Sequence, residues 1–231
     1  MKTKIIFEDN DIIVCHKMAG FPVQSAKVSM PDMESELKAY LKRQSGQSYL
    51  GIIHRLDQPV EGIIVFAKNE KAAAVLSKSV SEKGDMCKYY EAVIWGHMKE
   101  KTSTLVDYIE KVDRNMAKVV SKDNQRGKKS ILEYDVISDC SFDDELEEYL
   151  SNGKLSSREI ERLGIHLKTG RFHQIRVQLA NAGCPILGDM KYGFETNINK
   201  NKEIGIRRVF LKASRLSFAH PRIGEMMDFK V

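Results

Sequence analysis

The chain reads as an α+β protein, with strands and helices interleaved along its 231 residues. Three observations predict this. Short apolar runs rich in β-branched residues recur near residues 12–15, 50–53 and 63–67, too short for ordinary helices. Between them lie stretches whose apolar residues are spaced three and four apart, as on one face of a helix. Glycine, proline and Asp/Asn turns separate the two kinds of segment.

Taken in order, Lys4 to Gly20 predicts two short strands about the turn Asp9-Asn10-Asp11, closed by Gly20 and Pro22. Met33, Leu37, Tyr40 and Leu41 share a helical face, with Asp32 placed to cap it. Leu50–Ile53 and Ile63–Ala67 predict strands, which leaves His54 to Glu61 on a loop between them. The alanine-rich segment from Asn69 to Lys83 is helical, and Tyr89 to Gly96 is β-rich. Residues 104–137 predict strands joined by a basic loop, Lys122 to Lys129. Asp139 to Leu163 reads as an acidic helical excursion in two pieces, the second capped by Ser156 or Ser157. Ile165–Leu167 is a short strand, Arg171 to Gly183 a helix with Ile175, Leu179 and Ala182 on one stripe, and residues 208–221 a final β segment. Neither a repeat nor a linker divides the chain, so a single domain over 1–231 is expected.

Composition bounds the function. The chain is 42% hydrophobic and 30% charged, which excludes wholesale disorder. No apolar run approaches the roughly 20 residues of a membrane span, and the N-terminal apolar stretch is too short for a signal peptide. Cysteines 15, 87, 140 and 184 show no paired spacing, so a reducing cytoplasm is expected. The net charge is +5; with the −5 segment 139–165 set aside, 34 bases face 24 acids. That sign suits a nucleic-acid partner. The histidines lack HxH, HxxxH or HExxH spacing, so no metal is expected; neither GxGxxG nor GxxxxGK[ST] occurs.

Three clusters carry potential chemistry. His54-Arg55-Leu56-Asp57 is either a solvated turn or a loop carboxylate held ionised by a cation, suited to act as nucleophile or base. In Thr169-Gly170-Arg171-Phe172-His173-Gln174-Ile175-Arg176 both arginines lie on an exposed helix face, or Arg171 sits at a helix N-terminus that favours an anion. Lys88-Tyr89-Tyr90-Glu91-Ala92 places a tyrosine in a strand, where packing is its usual task.

In combination and order, these segments resemble the RluA family of RNA pseudouridine synthases. The segments are IIFEDNDIIVCHKMAGFPVQ, HRLDQPVEGIIVFAK, KYYEAVIWG, LKTGRFHQIRVQLANAGCPILGDMKYG and the end LKASRLSFAHP, and they span roughly residues 5–229. The resemblance implies a central mixed, largely antiparallel sheet flanked by helices, and isomerisation of uridines in structured ribosomal or transfer RNA without cofactor or metal. It implies that Asp57 is the essential aspartate, Tyr90 the active-site tyrosine and Arg171 the arginine paired with that aspartate. It further implies that Arg55 fills the gap left by a flipped base and that Ile175 lines the pocket; His54 and Arg176 are grouped with the RNA-binding set. A monomer is expected, and no S4-type RNA-binding module is expected ahead of the catalytic region.

Four positions depart from the family pattern. Val60-Glu61-Gly62 stands where Thr-Ser-Gly is usual, and Lys212 and Gln178 stand where histidines are common. A catalytically silent RNA-binding module would have lost Asp57, Tyr90 or Arg171, and all three are present; a metal-dependent hydrolase using Asp57 would need ligand spacings that the histidines do not offer.

Overall fold

The computed structural model describes residues 2–25, 30–46, 48–81, 84–138 and 143–231. They fall into two compact units, one made of the residues up to Tyr89 together with Lys212–Val231, the other of Tyr90–Leu211. The first unit takes in both ends of the chain, so no linker in the sequence marks it.

In the first unit the expected hairpin is β1 (Lys4–Glu8) and β2 (Ile12–Lys17), turned by Asp9, whose Oδ1 accepts from the amides of Asp11 and Ile12 at 2.8 Å. Helix α1 (Met33–Ser45) starts where Asp32 accepts from the Ser35 amide and buries Met33, Leu37 and Leu41. After β3 (Gly51–Ile52) and β4 (Glu61–Ala67), Asn69 caps α2 (Glu70–Ser79) through the Ala72 amide at 2.9 Å. Residues 82–83 of the longer helix expected there lie outside the described residues. Strands β10 (Leu211–Ala219) and β11 (Met226–Lys230) close the unit. Its strand order is β1-β2-β4-β10, with β11 on β10 and β3 on β4. Among the described residues of this unit the pairings are antiparallel except β4 with β10. Ala72 and Leu76 of α2 pack on Ile12, Val14, Val65 and Phe218.

One edge of β4 is fully taken by β2, from Gly62 to Ala67. The other is shared: β10 pairs Glu61 and Gly62, and β3 pairs Phe66 and Ala67. The loop from 53 to 60 lies between these two pairings in the chain. Gly62 has φ +123°, and a Cβ there would meet the Ala213 carbonyl oxygen at 2.3 Å. Only glycine allows β10 to approach so closely.

The second unit holds β5 (Cys87–Trp95, from residue 90), β6 (Thr102–Lys111), β7 (Ala117–Val120), β8 (Lys128–Val136) and β9 (Ile160–Leu167). Their order is β5-β9-β8-β6-β7. The β8–β9, β6–β8 and β6–β7 ladders are antiparallel. Helices α3 (Asp144–Ser151), α4 (Gln174–Asn181) and α5 (Glu195–Ile204) complete it. The mixed, largely antiparallel sheet with flanking helices is thus present.

The acidic excursion is helical only in α3. Its second piece is a single 3₁₀ turn, Ser157–Glu159, with the Ser156–Glu159 capping box, and then becomes β9. Ile160, Leu163, Ile165 and Leu167 are buried there, and residues 163–167 pair with β8, so ladder bonding overrides the capping signal. Residues 139–142 lie outside the described residues. Helix α4 also differs: it begins at Gln174, and residues 174–179 are all buried, whereas Ala182 is exposed. Among the described residues no helix is long and apolar enough to cross a membrane.

Replacing Gly62 with alanine forces β4 and β10 apart. Gly62→Ala should lower unfolding free energy by about 3 kcal/mol, from backbone strain plus overpacking, measured as a shift in urea midpoint at unchanged slope.

Candidate active site

Asp57 sits half-buried on the loop between β3 and β4, flanked by Leu56 and Val60, 6% and 3% exposed. Those two apolar anchors fix the loop from inside. The Val60 amide donates to the Asp57 carbonyl at 3.0 Å, closing a turn at Gln58-Pro59. The Gly20 amide donates to the Gln58 carbonyl at 2.8 Å, and the Gln58 side-chain amide donates back to the Gly20 carbonyl at 3.0 Å. The loop is therefore a braced turn whose backbone leaves little freedom to its carboxylate.

Beneath it lies Lys17, fully buried at the end of β2. Its Nζ donates to the carbonyls of Met18 (3.0 Å), Gln58 (2.9 Å) and Val60 (2.6 Å). An ammonium has three donors, and all three are used. Burial pushes the Lys17 pKa down to about 8, against the pull of the Asp57 and Glu61 carboxylates, which favour its charged form. Sequence reasoning missed this residue. The available signal was strand phase, since Ile13, Cys15 and Lys17 share one face of β2 and the first two are buried core.

His54 was grouped with RNA-binding residues, and the structure gives it a different task. Its Nε2 accepts from the Val65 amide at 3.3 Å, in the gap along β4 between its pairings with β10 and β3. Burial, and secondarily the charge of Lys88, push its pKa down to about 3. His54 is a neutral backbone acceptor. Arg55, next along, is exposed and borders a depression of about 490 Å³ with Gln24, Asp32, Glu34 and Lys38.

In the second unit, Arg171 sits in the turn between β9 and α4. Gln174, the first residue of α4, accepts through Oε1 from the Arg171 amide at 3.0 Å and from the Thr169 hydroxyl at 2.8 Å. Its amide group donates to the Ile131 carbonyl and to Gln178 Oε1. His173 takes a left-handed backbone (φ 54°), rare for a residue with a side chain. A 2.6 Å contact of Nδ1 with the Tyr192 hydroxyl and stacking on Phe172 at 3.8 Å hold it there. The Arg171 Nε donates to the Lys129 carbonyl at 3.1 Å. Gln178, fully buried, donates to Asp107 at 2.8 Å, filling with an amide the place where a histidine is common.

Arg176 is a correction. The sequence placed it either on an exposed helix face or with the RNA-binding set; the exposed face is overturned, since it is 4% exposed and makes a two-point ion pair with Asp189 at 2.7 and 2.8 Å. Burial acts to raise the Asp189 pKa, yet Arg176 and the amides of Lys191 and Tyr192 hold it below its usual value. The pair ties α4 to the Gly188–Gly193 turn, a structural task. Ile175 is buried on α4, and Tyr90, in β5, exposes 7% of its surface.

The two charged departures from the family pattern are register neighbours: Lys212 pairs with Glu61 across β10 and β4. Side chains in register on adjacent strands lie on one face. They act in opposite senses on His16, whose pKa burial lowers first, with Glu61 raising and Lys212 lowering it. Glu61 therefore brings its own counter-charge rather than a lone negative charge.

Asp9, Asp11 and His220 place one ligand atom each within 4.8 Å of one another. Their lone pairs are already engaged. Asp9 Oδ2 meets His220 at 2.7 Å, and Asp11 is bound by Arg222 at 2.6 Å and by Asn69 at 2.9 Å. This network ties the first hairpin to the last strands.

A family model described as RNA pseudouridylate synthase matches residues 11–181. An uncharacterized RNA pseudouridine synthase of Aquifex aeolicus is 32% identical over 98% of this chain and 68% of its own. The tRNA pseudouridine synthase C of Haemophilus ducreyi is 29% identical, covering 96% of this chain and 87% of its own. The ribosomal large subunit pseudouridine synthase C of Rickettsia prowazekii is 29% identical over 96% of this chain, which spans 65% of that protein. The solved structure of human RNA pseudouridylate synthase domain containing 4 superposes with a TM-score of 0.74 at 20% identity, covering 99% of this chain and 87% of its own.

Lys17→Met strips three loop carbonyls of their donor, so unfolding free energy should fall by about 3 kcal/mol, read from urea denaturation at pH 7. His54 gives a pH signature. Its folded pKa lies below its unfolded value of 6.5, so the unfolded chain takes up the extra proton as pH falls through 6.5 towards 3. Stability is lost across that window, and His54→Gln should flatten it. By pH 4.5 the acid-induced loss should be smaller than in the native chain by about 2 kcal/mol, allowing for partial exposure, in denaturation series from pH 7 to 4.5.

Proposed function

We propose, from the premise that the chain belongs to the RNA pseudouridylate synthase family in its RluA branch, a specific assignment of roles. The family's reaction makes the chain an isomerase that converts uridine in RNA to pseudouridine. The proposal concerns its substrate and residues. Relatives named for transfer RNA and for the large ribosomal subunit support ribosomal or transfer RNA as the substrate class. The chain is proposed to act in the cytoplasm, as a monomer, with its 231 residues working as one catalytic domain.

The observation that carries the assignment is Asp57, a carboxylate on a turn braced by Gly20, Gln58 and the buried Lys17 ammonium. A uridine in folded RNA first leaves its stack, at a cost of a few kcal/mol. Arg55, exposed on the same loop, occupies the vacancy. Asp57 then promotes cleavage of the bond between C1′ and N1, by attack on the sugar or by removal of a sugar proton; both routes start from the ionised acid. The freed uracil turns, C5 bonds to C1′, and the C5 proton leaves. Tyr90 and Ile175 are assigned to the base, and Arg171 to charge control of the reaction. The braced loop and the Gln174-pinned turn of Arg171 support these roles by holding each group in place before substrate binds.

Asp57→Asn keeps the shape of the side chain and removes its charge. The variant should stay folded, losing about 1 kcal/mol as the carboxylate's pull on buried Lys17 is removed, bind RNA normally and form no pseudouridine in single-turnover conversion of ribosomal and transfer RNA transcripts. Conversion by a folded Asp57→Asn protein would overturn the assignment.

A further inference from the structure

The net charge of the chain is concentrated in one place. Residues 111–129 carry seven bases and two acids, a balance of +5. The rest of the chain carries 30 of each sign, so these 19 residues hold the entire excess. They run from the end of β6 through a tight turn, β7 and the following loop to the first two residues of β8.

The cations of this strip are exposed, and most are uncommitted. Lys118 and Arg126 approach Glu110 at 3.8 and 3.6 Å. Arg114, Lys122, Lys128 and Lys129 have no acidic partner among the described residues. Of the two acids, Asp113 is turned onto its own loop, accepting from the amides of Asn115 (2.6 Å) and Met116 (2.8 Å). β7 is an edge strand, and one lysine such as Lys118 suffices to discourage pairing with another chain. Four further unpaired cations exceed that need.

The strip also abuts a residue assigned to the reaction. The Lys129 carbonyl accepts from Arg171 Nε at 3.1 Å, and Lys111 lies over the Phe172 ring at 4.7 Å. Cations beside a half-exposed aromatic ring suit a sugar–phosphate chain with unstacked bases. We propose that residues 111–129 are the surface on which the sugar–phosphate backbone of the RNA substrate docks, leading it to Arg171. This rests on the function proposed above and names the part of the molecule that grips the substrate.

The test uses a fluorescein-labelled RNA stem-loop with uridines in its loop, with dissociation constants measured by anisotropy from 50 to 200 mM KCl. Each phosphate contact contributes about 0.7–0.9 to the slope of log affinity against log salt. The triple variant Arg114→Ala/Lys122→Ala/Lys128→Ala should lose about two to three from that slope and bind at least tenfold more weakly at 50 mM. The charge-keeping set Arg114→Lys/Lys122→Arg/Lys128→Arg should retain the native slope. A control removing three exposed cations of the first unit, Lys42, Arg43 and Lys71, should retain it too. A native slope in the alanine triple variant, or an equal loss in the control, overturns the proposal. Pseudouridine formation is scored separately on the same proteins. Slope loss without any conversion by the native chain defeats the functional reading and leaves the surface standing; conversion with no slope loss does the reverse.

Discussion

The first unit depends on an ammonium buried where no water reaches it. Lys17 is held by three carbonyls, two of them from the turn that carries Asp57. Desolvating a cation is costly, and three well-aimed acceptors with the carboxylates of Asp57 and Glu61 offset that cost. The consequence is mutual. The loop needs the ammonium to satisfy its inward carbonyls, and the ammonium needs the loop to remain charged. A turn fixed from beneath in this way holds an exposed functional group more firmly than the sequence of a loop suggests.

The second unit reaches the same end without a buried lysine. Its braces are neutral amides, Gln174 and Gln178, joined to Thr169, Ile131 and Asp107. They hold the turn that presents Arg171, while the Arg176–Asp189 pair fastens the helix behind it. Two arginines five residues apart thus do opposite work. Arg176 is matched by a buried carboxylate and contributes to structure, and Arg171 sits half-buried at the turn with one donor on a backbone carbonyl. Burial, not residue type, separates them.

Charge follows a similar division. Outside residues 111–129 acids and bases cancel in sum; Arg208 pairs with Asp143 and Glu145 beside α3, and Lys212 and Glu61 are register neighbours. The excess gathers on the edge formed by β7 and its flanking loops. A summed figure of +5 would be unremarkable spread over the surface; gathered in 19 residues it sets up a local field that falls off over about 8–10 Å at ordinary ionic strength.

Much of this was legible in the sequence, because local physics writes it there. The first hairpin, the caps at Asp32 and Asn69, the strands around the Asp57 loop and the motif residues themselves follow from spacing, turn chemistry and the order of short segments. The sequence by itself also determined family membership, since that rests on residue identities. Only the tertiary structure decided the rest. His54 as a neutral acceptor, Arg176 as a buried ion-pair partner, Lys17 as the brace and Glu61 beside Lys212 all depend on partners 11 to 151 residues away in the chain. The second acidic piece became β9 because β8 offered it a ladder. Sequence spacing reports what a residue meets within one helix or strand; burial and charge pairing are set by residues far along the chain, and only folding brings those together.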